Sequence, residues 1–275
     1  MIAKKSTSKK NLPALTNAQL PTNWEEEMAK QAADVAAAEA KSGGGRSFSI
    51  KAGILSYGGN PIPGGRMKVV ALASAFANRY YDEGFDPNDV QPPACFALSE
   101  DGEDMVPHEK AAKKQAESCA ACPHSKWGTA VDAKGSATRG KACRNARILG
   151  LVSADGLTAT TAATAEMGIL TVPPTSIAAW SSYVKAVAGA YKRPPYGVVT
   201  EVAVTPDVEK QVAVTFSIVE PIRDKAILAE LYARRAQALV EVLRPYEPRA
   251  DEPTMGKNSR PKKSAARKPA TNKKY

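Results

Sequence analysis

Residues 99–142 show neither the helical nor the strand period of apolar side chains, and a compact domain seldom holds so long a segment without some tie other than a hydrophobic core. All four cysteines of the 275-residue chain bracket or interrupt that segment: Cys95, Cys119, Cys122 and Cys143. The central pair reads Cys-Ala-Ala-Cys, with one cysteine 24 positions before it and one 21 after. A two-residue spacing lets one tight turn present two thiolates, and the flanking cysteines can bring distant chain to the same point. The pattern therefore predicts one tetrahedral zinc held by Cys95, Cys119, Cys122 and Cys143, fixing residues 99–142 as a metal-tied insertion. His108 or His124 remains open as a replacement for a flanking cysteine. Four thiolates close the site, so the expected role is structural rather than catalytic.

Other uses of the cysteines fit less well. Disulfides belong to oxidising compartments, and Met1-Ile2-Ala3-Lys4-Lys5 leads into polar residues with no apolar h-region, so secretion is not expected. A redox pair would leave Cys95 and Cys143 unexplained. A zinc deaminase needs His-x-Glu followed by Pro-Cys-x-x-Cys. Here His108 and Glu109 are adjacent, and Pro123 follows the cysteine pair.

Charge is distributed unevenly. The net charge is +10, yet residues 253–275 hold eight Lys or Arg and residues 1–12 hold four Lys, with no acid in either tail. The body, residues 13–252, is left at about −2. Tails so basic and poor in apolar residues are expected to be disordered and to touch polyanions. No apolar run approaches the roughly 18 residues of a membrane span, so no membrane partner is expected.

The organisation read along the chain has four parts. Residues 1–45 form a flexible arm and an alanine-rich helix, Trp24 to Lys41, which Asn23 and Glu26 can cap and Gly43-Gly44-Gly45 ends. A β-rich α+β core spans 46–220, a helix occupies 221–248, and a disordered basic tail covers 249–275. Within the core, Ser47–Tyr57 alternates as one strand, and Arg66–Ala73 as another, with Met67, Val69 and Ala71 opposite Val70 and Leu72. Cys95–Leu98, Cys143–Val152 and Ile169–Val172 read as strands. Pro173-Pro174-Thr175 opens a helix with Ile177, Trp180, Val184 and Val187 on its apolar stripe. Val198–Val204 and Gln211–Val219 flank a Pro206-Asp207 turn as a hairpin. The last helix follows Pro221, with Ile227, Leu231, Leu239 and Leu243 on its buried side.

Cations and rings mix in three places. Lys126, Lys134, Arg139, Lys141, Arg144 and Arg147 face a single acid, Asp132, and Trp127 lies among them. Tyr183, Lys185, Tyr191, Lys192, Arg193 and Tyr196 follow Trp180, which its place on the stripe assigns to the core. Tyr80, Tyr81 and Phe85 form the third group, and alternation along a strand exposes at most one of the first two. Single strands are gripped by such mixtures, since cations neutralise phosphates while ring faces stack on unpaired bases. The expected contacts are Lys126, Trp127, Arg139, Lys141, Arg144, Arg147, Tyr183, Lys192 and Arg193. Catalytic patterns are weak, and no enzyme activity is expected. The run Glu100, Asp101, Glu103, Asp104 leaves a metal-dependent nuclease as one alternative. A zinc-stabilised protein-interaction or regulatory module is the other.

The string Cys119-Ala-Ala-Cys122-Pro, then Lys126-Trp127-Gly128, then Gly140-Lys141-Ala142-Cys143-Arg144-Asn145, with Cys95 upstream, resembles bacteriophage single-stranded-DNA-binding proteins that carry a four-cysteine zinc insertion. Val172-Pro173-Pro174-Thr175-Ser176 and Trp180 fit the same group, and the resemblance covers roughly residues 46–220. It implies a five-stranded oligonucleotide-binding (OB-like) barrel with the four cysteines as zinc ligands. It also implies sequence-tolerant single-stranded DNA binding in phage replication or recombination, with phage proteins of those processes as partners, in the cytoplasm of an infected bacterial host. One departure stands out. Proteins of this type often end in an acidic, partner-recruiting tail, whereas this chain ends in a basic one.

Overall fold

The structure is a computed structural model that describes residues 47–51, 53–82, 91–132, 135–207 and 211–246, together with positions 23, 27, 28 and 30–32. The Asn23–Glu26 cap, most of the helix expected over 24–41, Gly43–Gly45, Phe85, Lys134 and both basic tails lie outside the described residues. Two compact units divide the chain. One comprises the residues up to Ser74 with Arg147–Val242; the other comprises Ala75–Ala146 with Leu243 onward.

The first unit is built on strands whose two faces are both apolar. Nine strands occur in the whole described chain: β1 (Phe48–Lys51), β2 (Ile54–Tyr57), β3 (Asn60–Pro61), β4 (Arg66–Tyr80), β5 (Cys95–Ser99), β6 (Arg144–Ser153), β7 (Met167–Val172), β8 (Val198–Asp207) and β9 (Gln211–Pro221). The main sheet runs β7-β6-β4-β8-β9, antiparallel in the registers Leu149↔Leu170, Met67↔Val202 and Val202↔Phe216. Alternation along β4 sends Val69 and Ala71 to one core with Leu149, Leu170, Val198 and Val202. Val70 and Leu72 go to the opposite core with Val152 and Val199. Each core needs a cover. Helix α2 (Ile177–Tyr191) buries Trp180, Tyr183 and Val187 over the first. Helices α1 (Ala159–Thr164) and α3 (Lys225–Val242) cover the second with Ala162, Ile227, Leu231 and Ala238. The Arg234 guanidinium of α3 donates to the carbonyls of Ala162 and Ala165 at 2.7 and 2.6 Å, satisfying acceptors left over at the end of α1.

Several expectations need correction. The fold is β-rich α+β as read, but the sheet is open: among the described residues β7 and β9 end its main path, β5 joins β4 off that path, and no five-stranded barrel closes. Ser47–Tyr57 is a hairpin rather than one strand, because Gly53 takes φ +80° and turns the chain, pairing Phe48 with Tyr57. That aromatic pair lies against β7 at a residue that must be small. A Cβ on Gly168 would stand 2.4 Å from the Phe48 ring. Helix α1 was not expected, and its signal is Thr158, whose hydroxyl and Thr161 form a reciprocal cap. The strand expected over Arg66–Ala73 continues to Tyr80.

In the second unit β5 pairs with residues 76–80 of β4. Among the described residues from Glu100 to Cys143 the chain forms no strand and no α-helix, only a 3-10 turn at Pro123–Ser125 and an isolated bridge, Val131↔Ala137. Among the described residues no helix is long and apolar enough to cross a membrane.

Candidate metal centre and nucleic-acid surface

The antiparallel register Tyr80↔Cys95 and Asn78↔Ala97 puts these four residues on one face of the β4–β5 pair. Backbone hydrogen bonds then lash the irregular chain to that face. His108 N–H donates to the Phe96 carbonyl at 2.8 Å and Lys113 N–H to the Ala94 carbonyl at 2.8 Å. Cys119 N–H reaches the Met105 carbonyl at 2.9 Å, and Cys143 N–H the His124 carbonyl at 2.8 Å. As a result Cys95, Cys119, Cys122 and Cys143 line one small cavity of about 10 Å³, and neither histidine lines it. His124 stacks on Tyr80 with centroids 4.2 Å apart, and His108 on Phe96 at 5.0 Å.

The electrostatics of this cavity follow from four thiols gathered together, Cys95, Cys122 and Cys143 buried and Cys119 half-buried. None is in a disulfide. Burial, reinforced by the other three cysteines, pushes the Cys143 thiol up to about 12. Burial also raises Cys119, against a hydrogen bond from Asn78. Asn78 is itself buried; its amide donates to Met105 Sδ at 3.4 Å and its carbonyl accepts from Asn145 Nδ2 at 2.8 Å. Four soft sulfur donors that repel one another as thiolates match the chemistry of a zinc or iron–sulfur centre. As the side chains stand, however, no group of three or more His, Cys, Asp or Glu among the described residues is disposed to hold a metal ion. The donor set fits a metal, while its geometry is not closed to ligating positions.

Between Cys122 and Cys143 the chain doubles back on itself as an irregular finger held by backbone hydrogen bonds and the single bridge Val131↔Ala137. Gly128 N–H and Ala130 N–H donate to the Gly140 carbonyl at 3.0 and 3.1 Å, and Thr138 N–H donates to the Ala130 carbonyl at 2.7 Å. The tip is an Asp132 turn, with the carboxylate accepting from Ser136 N–H at 2.9 Å. The base is clasped by Thr129. Its hydroxyl donates to the Lys126 carbonyl at 2.7 Å and accepts from Ala142 N–H at 3.0 Å. Trp127 stands beside this clasp with 76% of its surface exposed, and Lys141 Nζ lies 5.2 Å from the ring centroid. Lys126, Arg139 and Arg144 are exposed as well.

The other expected contacts are placed differently. Tyr183 is 4% exposed, packed against Trp180 and Phe216, with its hydroxyl bonded to Thr200; no face is left for a base. Arg193 is half-buried and donates to the carbonyls of Gly197 and Ile222, so it holds backbone. Arg147 is half-buried, which leaves less of its guanidinium open to a phosphate than at the exposed Lys126, Arg139 and Arg144. Lys192 is exposed at the end of α2, in the left-handed conformation with φ 53°. Asp101, from the acidic run, is committed to its own turn: it accepts from Ser99 Oγ at 2.7 Å and Glu103 N–H at 2.9 Å, and these bonds lower its pKa. The sequence reading missed Asn78 and Thr129, whose roles depend on partners 27 and 13 residues away. It also missed Tyr232, which the helical period alone places off the buried stripe of α3.

No family model matches this chain, and neither the characterised proteins nor the solved structures compared with it give a match.

Proposed function

We propose that this chain binds single-stranded DNA with little regard to sequence, without catalysis, through the finger between Cys122 and Cys143. One observation carries the reading: an exposed indole, Trp127, lies beside Lys141 on an anchored segment whose Lys126 and Arg139 are exposed too, as is Arg144 just after it. An exposed tryptophan contributes nothing to a core, and a cation on one face leaves the other free for an unpaired base. Lys126, Arg139 and Arg144 would take phosphates of the same strand, and the basic tails would add affinity that salt screens. The reading needs no closed barrel, only a rigid platform.

Cys95, Cys119, Cys122 and Cys143 would hold a zinc ion, which when bound supplies a cross-link between β5, the Cys119–Cys122 turn and the start of β6. The chain's own groups orient that link. Asn78 bonds the Cys119 thiol and Ser125 the Cys143 thiol. The resemblance to phage single-stranded-DNA-binding proteins supports a role in replication or recombination beside phage proteins in the host cytoplasm.

The test is a titration of labelled poly-dT and of duplex at several salt concentrations. Tighter binding of poly-dT, with log K falling by about 0.7 per neutralised phosphate against log salt, is the expected result. Equal affinity for both, or none for either, would refute the proposal.

A further inference from the structure

Helix α3 buries Ile227, Leu231, Ala238 and Val242, and Tyr232 lies off that stripe with 63% of its surface exposed. Packing does not explain a ring held in water there. Its neighbours at helical spacing are Leu228, which is half-buried against the second core, Arg235, and Ala229 and Ala236, both exposed and too short to cover the ring. Tyr196, from the 3-10 turn Pro195–Gly197, lies beside it with ring centroids 6.4 Å apart. The Arg235 guanidinium sits 5.3 Å from the Tyr196 centroid and 6.0 Å from that of Tyr232.

The turn bearing Tyr196 is held firmly. Ile222 N–H donates to the Gly197 carbonyl at 3.1 Å, and Arg193 donates to the carbonyls of both residues. The arginine that sequence assigned to the strand is therefore the group that positions this ring. Lys225, exposed, precedes Tyr232 by seven residues and lies on the same side of the helix, about 10 Å along its axis. The nearby acid, Asp224, caps the helix by accepting from Ala226 N–H at 2.7 Å. What remains is a row of cation, ring and cation.

We propose that Tyr232, with Arg235 and Lys225, forms a second single-strand contact. An unpaired nucleobase stacks on the open face of Tyr232 while Arg235 and Lys225 take flanking phosphates. The inference rests on the reading of the chain as a single-strand binder and deepens it, giving each compact unit its own stacking ring. A protein partner fits the surface less well, because Lys225 and Arg235 flank the ring and lysine is depleted at the centres of protein interfaces.

The experiment measures poly-dT affinity by fluorescence anisotropy for the full chain and for Tyr232→Ala, Tyr232→Phe, Arg235→Ala and Trp127→Ala, with circular dichroism verifying that each folds. Tyr232→Ala should weaken binding about five- to a hundred-fold, as expected for losing one stacked base, while Tyr232→Phe retains it. Arg235→Ala should also reduce the salt slope by about 0.7. If Trp127→Ala weakens binding and Tyr232→Ala does not, the α3 contact is wrong while the finger stands; the reverse removes the finger and keeps α3. An unaltered chain that does not bind poly-dT overturns both. Unchanged affinity with altered sedimentation in Tyr232→Ala would give the ring to a protein contact and end the proposal.

Discussion

Trp127 and Tyr183 are both aromatic residues set among cations in the sequence, yet the structure separates them completely. Tyr183 follows Trp180 by three residues and precedes Val187 by four, so it shares their buried face; the stripe drawn through Val184 missed this. Trp127 belongs to no periodic segment, and that absence of period is what made it legible. Arg193 could not be read, because its acceptors at Gly197 and Ile222 exist only once the chain is folded. Trp127→Ala is expected to cost about 1–3 kcal/mol of poly-dT affinity and little stability, and Lys141→Ala about 0.5–1 kcal/mol. Binding isotherms beside thermal melts would check both. Tyr183 predicts a pH effect. Burial raises its pKa above the ordinary value of about 10, so the folded state favours the neutral phenol. Stability present below pH 10 should fall as pH rises through 10 towards the raised value, because the unfolded chain ionises first. Alkaline unfolding of Tyr183→Phe should show a shallower decline.

At the scale of elements, the long strands, the β8–β9 hairpin and helices α2 and α3 were visible because each carries an apolar period over enough residues. The β1–β2 turn was not, since a single Gly53 interrupts an otherwise unbroken alternation, and α1 was too short to show a period. The finger between Cys122 and Cys143 has no period at all; its order rests on hydrogen bonds that Thr129 gathers. Thr129→Val, which removes the clasp without changing shape, should weaken poly-dT binding several-fold by releasing Trp127, whereas Thr129→Ser should not. Equal affinities would show that the clasp plays no part. The cysteine pair is tested at this scale too. Cys119→Ser with Cys122→Ser should raise amide exchange across 126–141 and leave the β8–β9 hairpin protected. Unchanged protection in the finger, with no metal bound before or after, would remove the structural role of the four thiols.

For the whole molecule, two units carry two kinds of stability. The first rests on apolar cores on both sides of its sheet, so Leu149→Ala, emptying a fully buried site, should cost about 2–5 kcal/mol in denaturant unfolding. The second has little apolar core of its own between Glu100 and Cys143, and a chelator should loosen it before the first unit responds. The gap in periodicity and the cysteines around it marked residues 99–142 in the sequence, but not the bounds of the two units, which cut β4 after Ser74 and β6 before Arg147. The open sheet was not legible either, because strand count and alternation are the same whether or not the edges meet. The central claim, that an unpaired base stacks on Trp127, is tested most directly by indole emission during titration with poly-dT. The unaltered chain should be quenched, salt should restore the emission, and Trp127→Phe should lose most of the change. Quenching that persists unchanged in Trp127→Phe, or none in either, would contradict it.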